Sequence, residues 1–493
     1  MNTDSMTVTI SDLMASSGVG FGTSGARGLA EAMTDQVCFA YVMGFLQYLK
    51  SKGELRSGME VALAGDFRPS SPRIMAAAGM AVRDFGCIPV NCGFIPSPAV
   101  ALFGIRNKVP SLMVTGSHIP DDRNGIKFNR AAGEILKGDE QGIRTQRVTF
   151  SKELFDQQGM SRLSYRLPRE TKTPYRDYMH RYLDFFPAHC LQGRRIGLYE
   201  HSSVARQVLY EILEGLGAEI VRLGFSDRFL PVDTEAVRSE DIKLARQWAA
   251  RYDLDCIVST DGDGDRPLIS DERGHWLRGD VAGILCARYL GVRRVVTPVS
   301  SNSAVEKCGW FGQVERTRIG SPYVIAAMEA ALSEGEGCVV GYEANGGFLI
   351  GDRLERDGRI LDPLPTRDAV IVALAILMLA SEWQLPVSGL LSRLPARFTS
   401  SNRLKDFPNQ LSRERIGGLS EGGIESLFGE NFGRVAGLDD TDGLRITFES
   451  GEVVHLRPSG NAPELRCYNE ADSEARAVEM NQICMRILDS WRA

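Results

Sequence analysis

One pattern constrains the fold of this 493-residue chain more than any other: a strand–loop–helix–strand grammar that recurs three times. Each copy begins with a short apolar strand, at Val61–Ala64, Ile196–Tyr199 and Val295–Val299. Each strand opens into a polar, serine-bearing loop, at Asp66–Ser71, Glu200–Ser203 and Ser300–Ser303. An amphipathic helix follows in the first two copies. In the second, Val204, Val208, Leu209, Ile212, Leu213 and Leu216 fall on one helical face. Gly86 and Gly217 stop those helices, and strands near Ile88–Val90 and Ile220–Leu223 come next. Each copy then reaches a further apolar strand, at Leu112–Thr115, Cys256–Ser259 and Cys338–Val340, that empties into a glycine-rich loop. The third copy is the most degenerate. Such alternation builds parallel α/β layers, where ligands gather beyond the carboxyl ends of strands.

The last hundred residues follow a different rule. Leu444–Phe448 and Val453–Arg457 read as hairpin strands, Leu465–Tyr468 as a third strand, and Ser473–Trp491 as a terminal helix, which gives a smaller α+β domain. Polar or proline-bearing connections place domain limits near residues 170, 275 and 390, dividing the chain into 1–170, 171–275, 276–390 and 391–493. The twelve-residue run Ala369–Ala380 is too short for a bilayer, which needs about 20, and reads as a core helix apolar on every side.

Composition closes off several classes. Hydrophobic residues at 43% and charged residues at 24% exclude a disordered or fibrous chain. Lys and Arg number 57 against 63 Asp and Glu, with no basic block, so no nucleic-acid footprint is expected. Ten scattered cysteines form no Cys-x-x-Cys pair, which argues against a zinc ribbon or redox motif and for reduced thiols. The N-terminus does not read as a signal peptide, and a cytoplasmic location without membrane attachment is expected.

Chemistry concentrates in the loops. Thr115–Pro120, TGSHIP, presents Ser117 and His118 at a strand exit, and the Asn124–Gly125 pair is expected to turn the chain so that Lys127 returns toward the same tip. Asp261–Arg266, DGDGDR, alternates three carboxylates that converge in an extended chain and call for a cation between them. An all-oxygen donor set suits magnesium. Asp261, Asp263, Asp265 and Glu272 also match a calcium-loop spacing, but Arg266 stands where that loop requires glycine. Gly341–Gly347 sets Glu343 and Asn345 two residues apart, able to read neighbouring sugar hydroxyls. Arg457–Pro463, RPSGNAP, offers a guanidinium, a hydroxyl, an amide and free backbone N–H groups, an inventory suited to a phosphate dianion. Phe21–Gly28, FGTSGARG, lets backbone approach a ligand closely beside Arg27, and it lacks the pattern of an ATP-binding loop.

Taken in chain order, from Phe21 to Arg466, the five motifs resemble the α-D-phosphohexomutase family. The resemblance implies three similar α/β domains with mixed sheets and a C-terminal α+β domain around a central cleft. It implies that Ser117 carries a phosphoryl group and that Asp261, Asp263 and Asp265, with a phosphoserine oxygen of Ser117, hold Mg2+. It implies Lys127 as general acid/base with His118, Arg27 and Arg266 nearby, Glu343 and Asn345 on the sugar, and Arg457, Ser459, Gly460 and Asn461 on the distal phosphate. The implied reaction is reversible interconversion of mannose 6-phosphate and mannose 1-phosphate through a hexose 1,6-bisphosphate, by a monomer or homodimer. Glucose or glucosamine phosphate is the alternative substrate, and a non-catalytic phosphosugar-binding protein the alternative of another class. The chain departs from the commoner pattern in three places. Asn345 and Gly347 stand where many relatives carry Ser and His, Gly320–Pro322 replaces a Gly-His-Ser stretch, and Asn461–Ala462 replaces a Thr-Glu pair. Arg318 is expected to supply the positive charge that an absent imidazole would give.

Overall fold

The computed structural model describes residues 5–335, 337–419, 421–460 and 463–492. The threefold grammar becomes a threefold topology. In the first domain the strand Glu60–Gly65 pairs in parallel with Ile88–Phe94 on one side and Ser111–Val114 on the other, and Arg123–Arg130 closes on Ser111–Val114 antiparallel. The second domain repeats this with Arg195–His201 between Glu219–Phe225 and Cys256–Thr260, and Pro267–Ile269 antiparallel. The third repeats it with Arg294–Pro298 between Gln313–Thr317 and Val339–Tyr342, and Phe348–Ile350 antiparallel. Each sheet is therefore mixed, with a spatial order of second, first, third and fourth strand. The third copy is degenerate in sequence because its first crossover helix, Ala304–Lys307, spans only four residues; its sheet is complete.

One expectation is corrected. Asn124–Gly125 is not the turn; it lies inside the strand Arg123–Arg130, where Asn124 pairs with Gly28 and Gly125 with Arg27. The reversal occurs earlier, over residues 118–122. Two contacts override the turn preference of Asn-Gly. Asn124 Nδ2 donates to the hydroxyls of Ser70 and Ser71. A side chain at 125 would meet the carbonyl oxygens of Ala26 at 2.6 Å and Thr115 at 2.9 Å, so only glycine fits between these strands.

The apolar run forms the helix Ala369–Trp383, N-capped by Asp368 and ended by Gln384 in the left-handed region at φ 53°. Eleven of its residues are buried, and fully burying each Leu, Ile or Val contributes about 1.5–3 kcal/mol. This helix packs on Gly279–Leu290 within a core running continuously from the first domain to Leu390. The C-terminal residues form a separate core under a five-stranded antiparallel sheet, in the order Phe398–Leu404, Leu465–Ala471, Val453–Pro458, Leu444–Phe448, Val435–Asp439. They meet the third domain through polar contacts, including Ser303 N to Glu470 and Arg318 Nε to Thr441 O. Among the described residues no helix is long and apolar enough to cross a membrane, and all ten cysteines are free.

Candidate active site

The three chemically rich loops occupy one topological position. Each links the third strand of its domain to the antiparallel fourth, leaving the sheet after the pairs Val114–Ile126, Thr260–Pro267 and Tyr342–Phe348. Motifs far apart in sequence thus meet at the carboxyl ends of three related sheets.

Ser117 is held in the left-handed region at φ 56° and is 2% exposed. A non-glycine residue keeps such a conformation only when its surroundings over-determine it. Here the determinant is Arg68, itself 1% exposed. Its Nε donates to Asp66, Nη1 to the carbonyls of Pro120 and Arg123, and Nη2 to those of Ser117 and Ile119. All five guanidinium N–H groups are thereby used, and the group stacks 4.0 Å from the Phe229 ring. Thr115 Oγ1 accepts from Ser117 N at 2.7 Å and donates to Asp66 Oδ2. A Cβ at Gly116 would meet Arg68 Cζ at 2.6 Å, so this position requires glycine.

Ser117 Oγ donates to Asp261 Oδ2 at 2.6 Å. The Asp261, Asp263 and Asp265 carboxylates are buried, with one oxygen of each within 4.8 Å of the others. Lys127 Nζ reaches Asp263 Oδ2 at 2.6 Å and Asp265 Oδ2 at 2.5 Å, and Ser97 Oγ donates to Asp263 Oδ2 at 2.6 Å. The Oδ1 atoms of Asp263 and Asp265 are buried with no hydrogen-bond partner. Orphaned carboxylate oxygens in an all-oxygen cluster fit a hard divalent cation. Burial, then Asp263 and Asp265, drives the Asp261 carboxyl well above its ordinary range. Burial would raise Asp263 too, but Lys127 and the Ser97 hydrogen bond hold it below the usual carboxylate range. Burial opposes the Lys127 ammonium, yet Asp263 and Asp265 together raise its pKa.

Around this centre stand several cations. Burial and then Arg266 push Arg27 down to about 10, and its guanidinium has no hydrogen-bond partner among the described residues. Arg266 Nη1 donates to His118 Nδ1 at 2.7 Å, which leaves the ring proton on Nε2. Burial, then Arg266, holds His118 down at about 3, so the ring is neutral. Glu343 is 4% exposed and accepts from Arg367 Nη1 at 3.4 Å. Asn345 Oδ1 accepts from Gly347 N, and its carbonyl from Thr234 Oγ1.

The RPSGNAP motif begins at the end of the strand Val453–Pro458 on the fourth domain. Arg457 Nε pairs with Asp442 Oδ2 at 2.9 Å, and the same oxygen accepts from Ile319 N. Ser459 is buried and Gly460 exposed; Asn461 lies outside the described residues. Arg318 is exposed and donates to Thr441 O, next to the Asp442 that pairs with Arg457. The arginine beside Glu343 is Arg367.

Four consecutive segments match one family: residues 18–152, 174–274 and 278–398 match phosphoglucomutase/phosphomannomutase alpha/beta/alpha domains I, II and III, and residues 422–488 its C-terminal domain. The chain belongs to the phosphoglucomutase/phosphomannomutase family. It is similar to a phosphomannomutase of Salmonella muenchen, 45% identical over 95% of each chain. It is also similar to a phosphomannomutase of Sinorhizobium fredii, 44% identical over 95% of this chain and 98% of that one. A Burkholderia thailandensis phosphoglucomutase/phosphomannomutase family protein shares the fold, with TM-score 0.73 at 18% identity over 98% of both chains.

Within this phosphohexomutase frame, sequence reasoning missed Asp66, Arg68, Ser97 and Arg367. Asp66 and Arg68 carried a signal, since they open the polar loop after the first strand of the first copy. Ser97 and Arg367 carried none, because one opens an ordinary helix and the other lies within an ordinary strand, and both reach the site only through the packing of separate domains.

Proposed function

We propose that this phosphohexomutase interconverts mannose 6-phosphate and mannose 1-phosphate through a phosphoserine at Ser117. The observation that carries the reading is the 2.6 Å contact of Ser117 Oγ with Asp261, inside a carboxylate cluster that also binds Lys127. The reaction needs a nucleophilic oxygen, a cation site and a proton carrier in one buried place. Asp261, Asp263 and Asp265 would hold Mg2+ with an oxygen of Ser117. That ion would offset the charge of phosphoserine and of the transferring group, roughly −1.5 to −2 for the former.

The chain's own groups do the rest. A sugar hydroxyl attacks phosphorus as the P–Oγ bond breaks. Lys127 Nζ gives its proton to the departing Ser117 oxygen and takes one from the attacking hydroxyl. Arg27 and Arg266 face the phosphoryl oxygens, and neutral His118, tied to Arg266, fixes that guanidinium's direction. Glu343 and Asn345 read sugar hydroxyls, while Arg457, Ser459, Gly460 and Asn461 hold the phosphate that does not react. The hexose 1,6-bisphosphate then presents its other phosphate to Ser117, which regenerates the phosphoenzyme.

Two relatives called phosphomannomutase, at 44–45% identity over nearly the whole chain, support mannose as the sugar. Comparing kcat/KM for mannose, glucose and glucosamine 1-phosphates with Mg2+ and a 1,6-bisphosphate primer tests this. Mannose is expected to lead; a preference for either other sugar sinks the substrate assignment while leaving the reaction intact.

A further inference from the structure

We propose that Arg367 is a positioning residue of phosphoryl transfer, tying the metal-cluster carboxylate Asp265 to the sugar-loop carboxylate Glu343 through space that only Gly347 leaves open. The inference rests on the phosphohexomutase reading above and adds a residue that reading does not use.

The geometry is specific. Arg367 is 3% exposed, with Nε 3.1 Å from Asp265 Oδ2 and Nη1 3.4 Å from Glu343 Oε2. The Nε contact with Asp265 is an ion pair without hydrogen-bond geometry, so the tie is one of charge. The side chain runs directly over residue 347, where a Cβ would lie 2.6 Å from both Cγ and Cδ of Arg367 and 3.0 Å from its Cβ. Those are the stiff near-backbone atoms of the side chain, so neither residue can yield cheaply. A side chain at 347 and the guanidinium in its present place exclude each other. The guanidinium therefore reaches over position 347 from the neighbouring strand.

Arg367 is also fixed from both sides along its strand, Leu364–Asp368. Thr366 Oγ1 donates to Glu134 of the first domain, whose other carboxylate oxygen accepts from Ser321. The Asp368 carboxylate accepts from Tyr178 Oη at 2.7 Å and from Tyr182 Oη. Three consecutive residues thus reach the first domain, the metal cluster with the sugar loop, and the helix Thr173–Phe185. A group locked in this way transmits the sugar's position to the reacting centre, where a misplacement of 1 Å costs about 100-fold.

The test compares Arg367→Met and Arg367→Lys in the full-length protein, with Gly347→Ala and the double variant Gly347→Ala/Arg367→Ala read by thermal unfolding. Arg367→Met should lower kcat about 100-fold while moving KM for mannose 1-phosphate less than about fivefold, and Arg367→Lys should recover at least about tenfold of the kcat. A kcat for Arg367→Met within threefold of wild type, or no recovery with lysine, overturns the role. Gly347→Ala should lower the unfolding temperature by about 3 °C or more in the wild-type background and by clearly less beside Arg367→Ala. Equal losses in both backgrounds overturn the packing relation. Because unfolding needs no turnover, an inactive wild-type protein would count against the proposed function and leave this second readout to decide Arg367.

Discussion

The carbonyl oxygen of Ser117 accepts a 2.8 Å hydrogen bond from Nη2 of Arg68, forty-nine residues earlier and wholly inside the first domain. The serine loop is therefore shaped from beneath by one buried cation whose countercharge, Asp66, is equally buried. Replacing Arg68 by Met keeps much of the packing on Phe229 but removes five donors and strands Asp66 without its partner. Breaking a buried pair in this way costs about 3–5 kcal/mol. Urea unfolding of Arg68→Met should show a loss of that order together with loss of turnover. An unchanged midpoint would mean that the loop holds its shape without the guanidinium.

Ser117 carries its own backbone cost at φ 56°. Glycine adopts that region freely, whereas alanine does not. Ser117→Ala and Ser117→Gly both remove the hydroxyl and should be equally inactive, yet the glycine variant should be more stable than the alanine variant by about 1 kcal/mol. Chemical denaturation of the pair measures the difference directly. Alanine proving the more stable of the two would show that the left-handed conformation relaxes when the hydroxyl is lost.

Lys127 stands between Asp263 and Asp265 and offsets their charge. Lys127→Met leaves three buried carboxylates with less compensation, so the variant should unfold at lower temperature in EDTA. The same loss raises the attraction of the cluster for a divalent cation. Saturating Mg2+ should therefore raise the melting temperature of Lys127→Met by more than that of the wild type. A smaller shift in the variant would argue that lysine assists the cation site rather than competing with it for the same oxygens.

What could be read in advance followed from short-range chemistry. Alternating Asp261, Asp263 and Asp265 announced a converging cluster, although the segment is a turn, with Gly264 at φ 74° and its N donating to Asp261 O, and not the extended chain expected. The apolar run Ala369–Ala380 announced a buried helix because no polar stripe interrupts it. Asn124–Gly125 misled, since its turn preference is local and the hydroxyls of Ser70 and Ser71, together with the Ala26 and Thr115 carbonyls, draw it into a strand from elsewhere in the domain. Arg367 was silent for a related reason. Nothing around Pro365–Asp368 distinguishes it until Asp265, a hundred residues earlier, is packed 3.1 Å away.

Two buried histidines, His201 and His455, give the protein an acid limit. Burial pushes His201 down to about 4, with Nε2 donating to Thr260 O at 2.8 Å. Burial likewise pushes His455 down to about 4, with Nε2 donating to Asp442 O at 2.7 Å. The ordinary value near 6.5 applies to the unfolded chain, so between about 4 and 6.5 the unfolded state binds more protons than the folded state. Stability must then rise with pH across this window, be fully present above it, and be lost as pH falls toward 4, by ~3 kcal/mol for each ring at the acid end. His201→Gln and His455→Gln keep a donor for each carbonyl but cannot titrate. Unfolding free energies measured from pH 4.5 to 7 should show a shallower slope in each variant and shallowest in the double variant. A slope unchanged from wild type in the double variant would assign the acid limit to other groups and show that these rings are protonated at little cost within the fold.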